Sequence, residues 1–122
     1  MPKRNVVLVV DDDSAMLRSI GRLLRQFGYD SVLFQSAEAF ATHNDFRSAA
    51  CVLLDINLGG VSGIDLRHRL KAANICVPVI YMTGNDKPAV REAALQSGCV
   101  AYLTKPFSAG SLIVSLERVS AL

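Results

Sequence analysis

Short apolar runs alternate with helix-period segments along the whole chain, and this alternation limits the fold more than any other feature. The runs are Val6–Val10, Val32–Phe34, Ala50–Leu54, Val77–Met82 and Val100–Leu103. They are continuous rather than alternating apolar with polar residues, the pattern of strands covered on both faces in a parallel sheet. Between them, Met16, Leu17, Ile20, Leu23, Leu24 and Phe27 trace one helical face, with Asp13 or Ser14 as N-cap and Gly28 as the stop. A short helix is expected over Ser36–Ala41, with Ala39 and Phe40 inside it, and a third around Ile64, Leu66 and Leu70. Pro88 stands where a fourth would begin, a position that tolerates a missing N–H. That fourth segment, Ala89–Gln96, is alanine-rich with a thin apolar stripe, and the last runs from about Ser108 through Leu112, Ile113, Leu116 and Val119.

The order is β-α repeated five times. Right-handed crossovers then place helices on both faces of a five-stranded parallel sheet, a doubly wound α/β fold. Residues 1–122 are read as one domain, since a chain of this length has no room for two. With 51% hydrophobic residues it can build a core without disulfides. Cys51, Cys76 and Cys99 stand apart, each in an apolar run, and are expected to be free, buried thiols of a reducing compartment. Lys3 and Arg4 precede an apolar run too short for a signal peptide, which ends in aspartates. No segment approaches the roughly 20 apolar residues of a membrane span, so a cytoplasmic location is expected, with no membrane contact. A formal charge of +2 says little about partners. Arg18, Arg22 and Arg25 lie at helical spacing, the pattern of a solvated helix face, and direct nucleic-acid contact is not expected.

The chemistry lies at the ends of the strands. Asp11, Asp12 and Asp13 follow the first run directly, and Asp55 closes the third. In a doubly wound sheet the carboxyl ends of the strands line the ligand crevice. If the first and third strands are neighbours, Asp11, Asp12 and Asp55 converge there. Packed carboxylates repel, so one must take a proton or a cation must bind. Oxygen-only ligands suit a hard ion such as Mg²⁺. Asp13 also reads as a simple helix cap. The fourth strand ends in Thr83 and the fifth runs into Lys105-Pro106, so a hydroxyl donor and a mobile ammonium face the same crevice.

This constellation resembles the response-regulator receiver family of two-component signalling: an acidic pair after strand one, Asp55 after strand three, Thr83 after strand four and Lys105-Pro106 after strand five. The resemblance runs from Val7 to about Leu116. Ser36-Ala37-Glu38-Ala39-Phe40 and Lys105-Pro106-Phe107 look most like receivers of nitrogen-fixation and nitrate-response type transcriptional regulators. The resemblance implies a flavodoxin-like sheet of strand order 2-1-3-4-5 with five helices. It makes Asp55 the phosphoacceptor, charged by a sensor histidine kinase or a histidine phosphotransfer protein. Asp12 would bind Mg²⁺ directly, Asp11 partly through water, and Asn57 through its backbone carbonyl. Lys105 would pair with Asp55 and then with the phosphoryl oxygens, and Thr83 would hydrogen-bond the phosphoryl group. Tyr102 would be the switch residue, rotating inward as Thr83 moves, and a cis peptide would precede Pro106. Asn57 and Asn85 would border the phosphoryl group and tune its hydrolysis, so bulky residues at both should change its lifetime.

On this reading the chain is a switch that controls an output domain or effector protein, with its own phosphorylation and dephosphorylation as its only catalysis and a homodimer as a possible phosphorylated form. Leu58-Gly59-Gly60 departs from the Met-Pro pair of many relatives, and glycines without the proline are expected to loosen the loop beside the site. Other readings stay open at this point. An aspartyl-phosphate phosphatase would use the Asp11-x-Asp13 spacing, but needs a cap and a different strand order. A flavin-binding module would share the fold, but three aspartates stand where its phosphate loop should be. A receiver working by protein contact alone is the nearer rival, against which stand the acidic set, Thr83 and Lys105. The sequence leaves open both a stand-alone receiver and the front half of a longer regulator.

Overall fold

The structure is a computed structural model that describes residues 5–43 and 45–122; Lys3 and Arg4, weighed above as the start of a signal peptide, lie outside the described residues. Along the chain come β1 (Val6–Val10), α1 (Ser14–Gln26), β2 (Asp30–Phe34), α2 (Ala37–Ala41), β3 (Ala49–Asp55), β4 (Asn57–Leu58), β5 (Val61–Ser62), α3 (Gly63–Ala72), β6 (Val79–Thr83), α4 (Pro88–Gln96), β7 (Ala101–Thr104) and α5 (Ala109–Ser120). Five strands form one parallel sheet in the order β2-β1-β3-β6-β7. With the two-residue strands β4 and β5 set aside, this is the expected flavodoxin-like order 2-1-3-4-5.

The unbroken apolar runs now have their reason. Successive side chains of a strand point to opposite faces, and both faces are covered. Val7, Val9, Leu53 and Ile80 pack beneath Leu17, Ile20 and Leu24 of α1 and Leu112 and Leu116 of α5. Leu8, Val10, Leu54 and Tyr81 pack beneath Phe40 of α2, Leu66 and Leu70 of α3 and Ala94 of α4. Each aliphatic side chain fully buried this way contributes about 1.5–3 kcal/mol.

Serines cap three of the helices: Ser36 accepts from the Ala39 N–H, Ser62 from Ile64 and Ser108 from Ser111. Asp13 caps α1, accepting from Ala15 and Met16 at 2.9 and 3.3 Å. Helix α4 has no side-chain cap and starts on Pro88, where the missing N–H would have been unbonded in any case. It buries only Ala94, so hydrogen bonds tie down its C-terminal end. The buried Tyr81 hydroxyl meets Ser97 Oγ at 2.6 Å, and Arg67 of α3 donates from Nε and Nη2 to the Gly98 carbonyl at 3.3 and 3.2 Å.

The structure corrects three expectations. Strand β2 lies at the sheet edge, where Val32 and Leu33 are each 40% exposed, so it is not covered on both faces. Phe27 is 49% exposed, because it falls at the C-cap, where the helix face has already turned away. Of the cysteines only Cys51 is buried; Cys99 is half-buried and Cys76 exposed, since both sit in connections rather than in strands. Burial pushes the Cys51 thiol up to about 12. Gly59 and Gly60, in the loop expected to be loosened, stand in a turn. They adopt φ of 58° and 95°, as the tightest hairpin turn requires at both central positions. The turn closes a short antiparallel pair, Asn57 opposite Ser62 and Leu58 opposite Val61.

Candidate functional site

Strand register builds the site. Val10 lies beside Leu54, and Leu54 beside Tyr81. The next residues along the two central strands, Asp11 and Asp55, therefore leave the sheet side by side at its carboxyl edge. Lys105, one residue past β7, reaches across to both: its Nζ donates to Asp11 Oδ2 at 2.7 Å and to Asp55 Oδ2 at 3.0 Å. The remaining carboxylate oxygens are held by the backbone, since the Asp13 N–H donates to Asp11 Oδ1 at 2.9 Å and the Asn57 N–H to Asp55 Oδ1 at 3.0 Å. The backbone of Lys105 is anchored in turn, its N–H donating to the Thr83 carbonyl at 2.7 Å. The Lys105–Pro106 peptide is cis.

These charges are out of bulk water: the side chains of Asp11, Asp55 and Lys105 are 0%, 6% and 19% exposed. Burial pushes the Asp55 carboxyl above its ordinary value, and the neighbouring Asp11 charge adds to that; hydrogen bonds from Lys105 and the Asn57 N–H pull the other way without cancelling it. Burial alone would lower the Lys105 ammonium, but its bonds to Asp11 and Asp55 outweigh the loss and hold it above the usual lysine value. Asp12 is exposed at the mouth. One ligand atom from each of Asp11, Asp12 and Asp55 lies within 4.8 Å of the others. With all three ionised, a single ammonium leaves them two negative charges in excess. The donors are all oxygens, which fits a hard divalent ion such as Mg²⁺.

Other residues proposed from the sequence stand around this centre, and those that touch it do so through the backbone rather than the side chain. Thr83 is buried, and its hydroxyl is held in its own loop, accepting from the Asn85 N–H at 3.0 Å and donating to the Asn85 carbonyl at 3.2 Å. Asn57 is exposed and meets Asp55 through its backbone N–H. Asp13 caps α1 and gives its N–H to Asp11. Tyr102 is half-buried and turned to the surface, its hydroxyl donating to Asp86 Oδ1 at 3.2 Å.

Sequence reasoning missed three contributors. Asp86 and Arg91 hold Tyr102 between them: Arg91 pairs with Asp86 at 3.4 Å and lies over the tyrosine ring, 5.3 Å from its centroid. Nothing in their spacing marks them, because the contact spans from the β6–α4 loop and α4 to β7. The third is Gly63, at the start of α3. A Cβ there would collide with the Asp55 carbonyl and stand 3.1 Å from Ile56 Cα, while its N–H donates to the Ile56 carbonyl at 2.8 Å. Glycine in the first turn of a helix is itself a sign of close backbone approach.

A doubly wound sheet with a lysine bridging buried aspartates at its carboxyl edge defines the class of protein. The chain belongs to the response regulator receiver domain family, whose model matches residues 7–117. It is 34% identical over 117 residues to the transcriptional regulatory protein FixJ of Bradyrhizobium diazoefficiens, a match covering 96% of this chain and 57% of FixJ. It is 36% identical over 102 residues to nodulation protein W of the same organism, covering 84% of this chain and 45% of the relative. The crystal structure of FixJ-N superposes with a TM-score of 0.88 at 30% identity, over 99% of this chain and 96% of that one. The chain thus spans about half the length of the curated relatives it matches. Receiver domains of two-component response regulators are signalling domains rather than enzymes of substrate turnover. No helix among the described residues is long and apolar enough to cross a membrane.

Proposed function

We propose that residues 1–122 form one receiver domain in which Asp55 accepts a phosphoryl group from a phosphohistidine donor and the resulting charge switches the conformation of the β6–α4–β7 region. The observation that carries this reading is the single Lys105 ammonium shared by two buried carboxylates at 2.7 and 3.0 Å.

A carboxylate is a modest nucleophile, so positioning and charge must lower most of the barrier. Backbone N–H groups and Lys105 fix Asp11 and Asp55, leaving Asp55 nothing to reorganise before it attacks. Its oxygen forms the new bond to phosphorus as the bond from phosphorus to the donor nitrogen breaks, and the imidazole leaves with that electron pair. Asp11, Asp12 and Asp55 would hold Mg²⁺, with the Asn57 carbonyl as a further ligand. When bound, the ion offsets the repulsion between an anionic phosphoryl group and these carboxylates. Lys105 then exchanges Asp55 for the phosphoryl oxygens. Thr83 gives up the Asn85 carbonyl and donates its hydroxyl to the same group, and Tyr102 leaves Asp86 to fill the space behind it. Asn57 and Asn85 border the phosphoryl group and govern the approach of water during hydrolysis. The partners are a sensor histidine kinase or phosphotransfer protein on the input side and an output domain or effector, in the cytoplasm, on the other. FixJ is a transcriptional regulatory protein, so transcription is the output expected here, with phosphorylation favouring a homodimer.

Intact-mass measurement after incubation with acetyl phosphate tests the reading. One labile phosphoryl group that requires both Mg²⁺ and Asp55, and is absent in Asp55→Ala, is the expected result. No adduct in the native chain under any donor would overturn it and leave a receiver that works by contact alone.

A further inference from the structure

The opposite edge of the sheet from Tyr102 carries a feature the phosphoacceptor centre does not use. Helix α1 presents Arg18, Arg22 and Arg25 on one exposed stripe and has no acidic residue. Among the described residues, none of the three arginines enters an ion pair. Beside the stripe runs edge strand β2, which among the described residues pairs only with β1. Between them lies a groove of about 450 Å³ walled by the three arginines, with Gly21, Ser31 and the 40%-exposed Leu33 as its floor.

Edge strands are ordinarily blunted by lysine, proline, bulges or a covering element. In β2 the only charged residue is Asp30, and no proline is present. Its inward bonds fix which groups face out. The Asp30 N–H donates to Asn5 O, and the Phe34 carbonyl accepts from the Asp11 N–H. By the alternation of a parallel ladder, the N–H and C=O groups of Ser31 and Leu33 point away from the sheet. Gly21 adds an independent sign. A glycine inside a helix costs about 1 kcal/mol relative to alanine, yet packing does not impose this one. A Cβ there would meet Leu33 Cδ1 at 3.5 Å and Ser31 Oγ at 3.6 Å, ordinary van der Waals contact. Its absence keeps the groove open.

We infer that this groove docks an extended acidic segment of a partner protein, which adds to the sheet beside β2, sets its carboxylates against Arg18, Arg22 and Arg25, and rests an apolar side chain on Leu33. Main-chain pairing supplies affinity in such strand addition, and the flanking side chains supply selectivity. A second copy of this chain is a poor occupant, because a two-fold contact would set the arginine stripe against itself. Nucleic acid offers neither a strand to the Ser31 and Leu33 amides nor an apolar group to Leu33.

The test is a ¹⁵N NMR titration of the chain with a capped Glu-Thr-Val-Thr-Glu-Thr peptide, which as a strand sets Glu and Val on one face, and with the Lys/Val peptide Lys-Thr-Val-Thr-Lys-Thr. The Glu/Val peptide is expected to move the Ser31 and Leu33 amide signals and slow their hydrogen exchange, while the Lys/Val peptide does not. The double variant Arg22→Glu/Arg25→Glu should bind at least roughly tenfold more weakly, about 1.4 kcal/mol. Gly21→Leu should abolish binding, and Gly21→Ala should weaken it while raising thermal stability. Both should leave phosphoryl uptake from acetyl phosphate unchanged. Three outcomes would each overturn the proposal: no movement at β2, equal binding of both peptides, or the same signals shifting more strongly with duplex DNA or with chain concentration.

Discussion

Two polar clusters lie at the carboxyl edge of the sheet and are built in opposite ways. Lys105, Asp11 and Asp55 are nearly dry, every carboxylate oxygen has a donor, and two of those donors are backbone. Asp86, Arg91 and Tyr102 are wet: the Arg91 and Asp86 side chains are 55% and 40% exposed, and all three contacts run between side chains. Exposed pairs of this kind are worth about 0–1 kcal/mol, whereas breaking a buried pair costs about 3–5 kcal/mol. The fold thus fixes the place where charge would arrive and leaves loosely held the residue that would report it. In a switch the bistable element must differ by little in free energy between its states, whereas the receiving site gains from donors set in place beforehand.

Removing the fixed side should have the largest effect. Lys105→Ala leaves two buried carboxylates unmatched, and phosphoryl uptake from acetyl phosphate should fall roughly 10²–10³-fold, the loss typical when one charge-stabilising donor is removed. The pH dependence follows from the two shifts. Lys105 titrates above its ordinary 10.5 in the fold, so its stabilising contribution is whole below 10.5 and is lost as pH rises through the folded value. The stability gap between native chain and variant should therefore narrow in alkali. Asp55 has the reverse sense. Its carboxyl is held above 3.8, so the folded chain takes up that proton more readily than the unfolded one, and acidification through the folded value adds stability from this residue. Thermal melts of both proteins across pH check both signs; a gap that widens above 10.5 would refute the assignment of Lys105 as the stabilising partner.

Gly63 tests whether the backbone, and not only the charges, fixes Asp55. Gly63→Ala must push the Asp55 carbonyl and Ile56 aside, a clash of the overpacking kind that costs about 1–3 kcal/mol. Chemical denaturation should show that loss, and phosphoryl uptake should fall too because the acceptor shifts. Unchanged stability would mean that the β3–α3 connection yields, and that the acceptor side is as soft as the rim.

The same contrast separates what could be read from the sequence from what could not. The sheet was legible because Val6–Val10 and its counterparts are apolar without interruption, the usual pattern of strands in a parallel sheet with covered faces. Asp11, Asp12, Asp55 and Lys105 were legible because position at a strand end determines where a side chain goes, whatever the strand's neighbours. The exposure of Val32 and Leu33 was not, since an edge strand and a central one can share a composition and differ only in neighbours. Gly59-Gly60 is a two-residue turn signal in the sequence, but the strands it joins, at two residues each, are too short to leave a pattern of their own. Asp86 and Arg91 left no trace, because a surface charge has meaning only once a residue distant in sequence arrives beside it. Tyr102 reads as a packed aromatic on its residue type alone, and the family resemblance supplied its other role.

The smallest expected effect is the one that most directly probes the loose side. Asp86→Ala removes the acceptor of the Tyr102 hydroxyl and one partner of Arg91, and should change stability by no more than about 1 kcal/mol. Tyr102 should nevertheless respond. Its phenol is pushed above 10.0 by burial, then by its hydrogen bond to Asp86 and the Asp86 charge, so losing Asp86 must bring its titration down toward 10.0. Ring ¹³C NMR resolves Tyr102 from Tyr29 and Tyr81 and reads the shift directly. If Asp86 holds Tyr102 in its outward position, the variant should also broaden or move the Tyr102 ring signals without phosphate, and less phosphoryl group should be needed to complete the change. An unmoved titration would mean that the 3.2 Å bond is not kept in solution. A shifted titration with an unchanged phosphoryl response would mean that Asp86 holds the ring but not the switch, and the rim would then have to be explained by Arg91 alone.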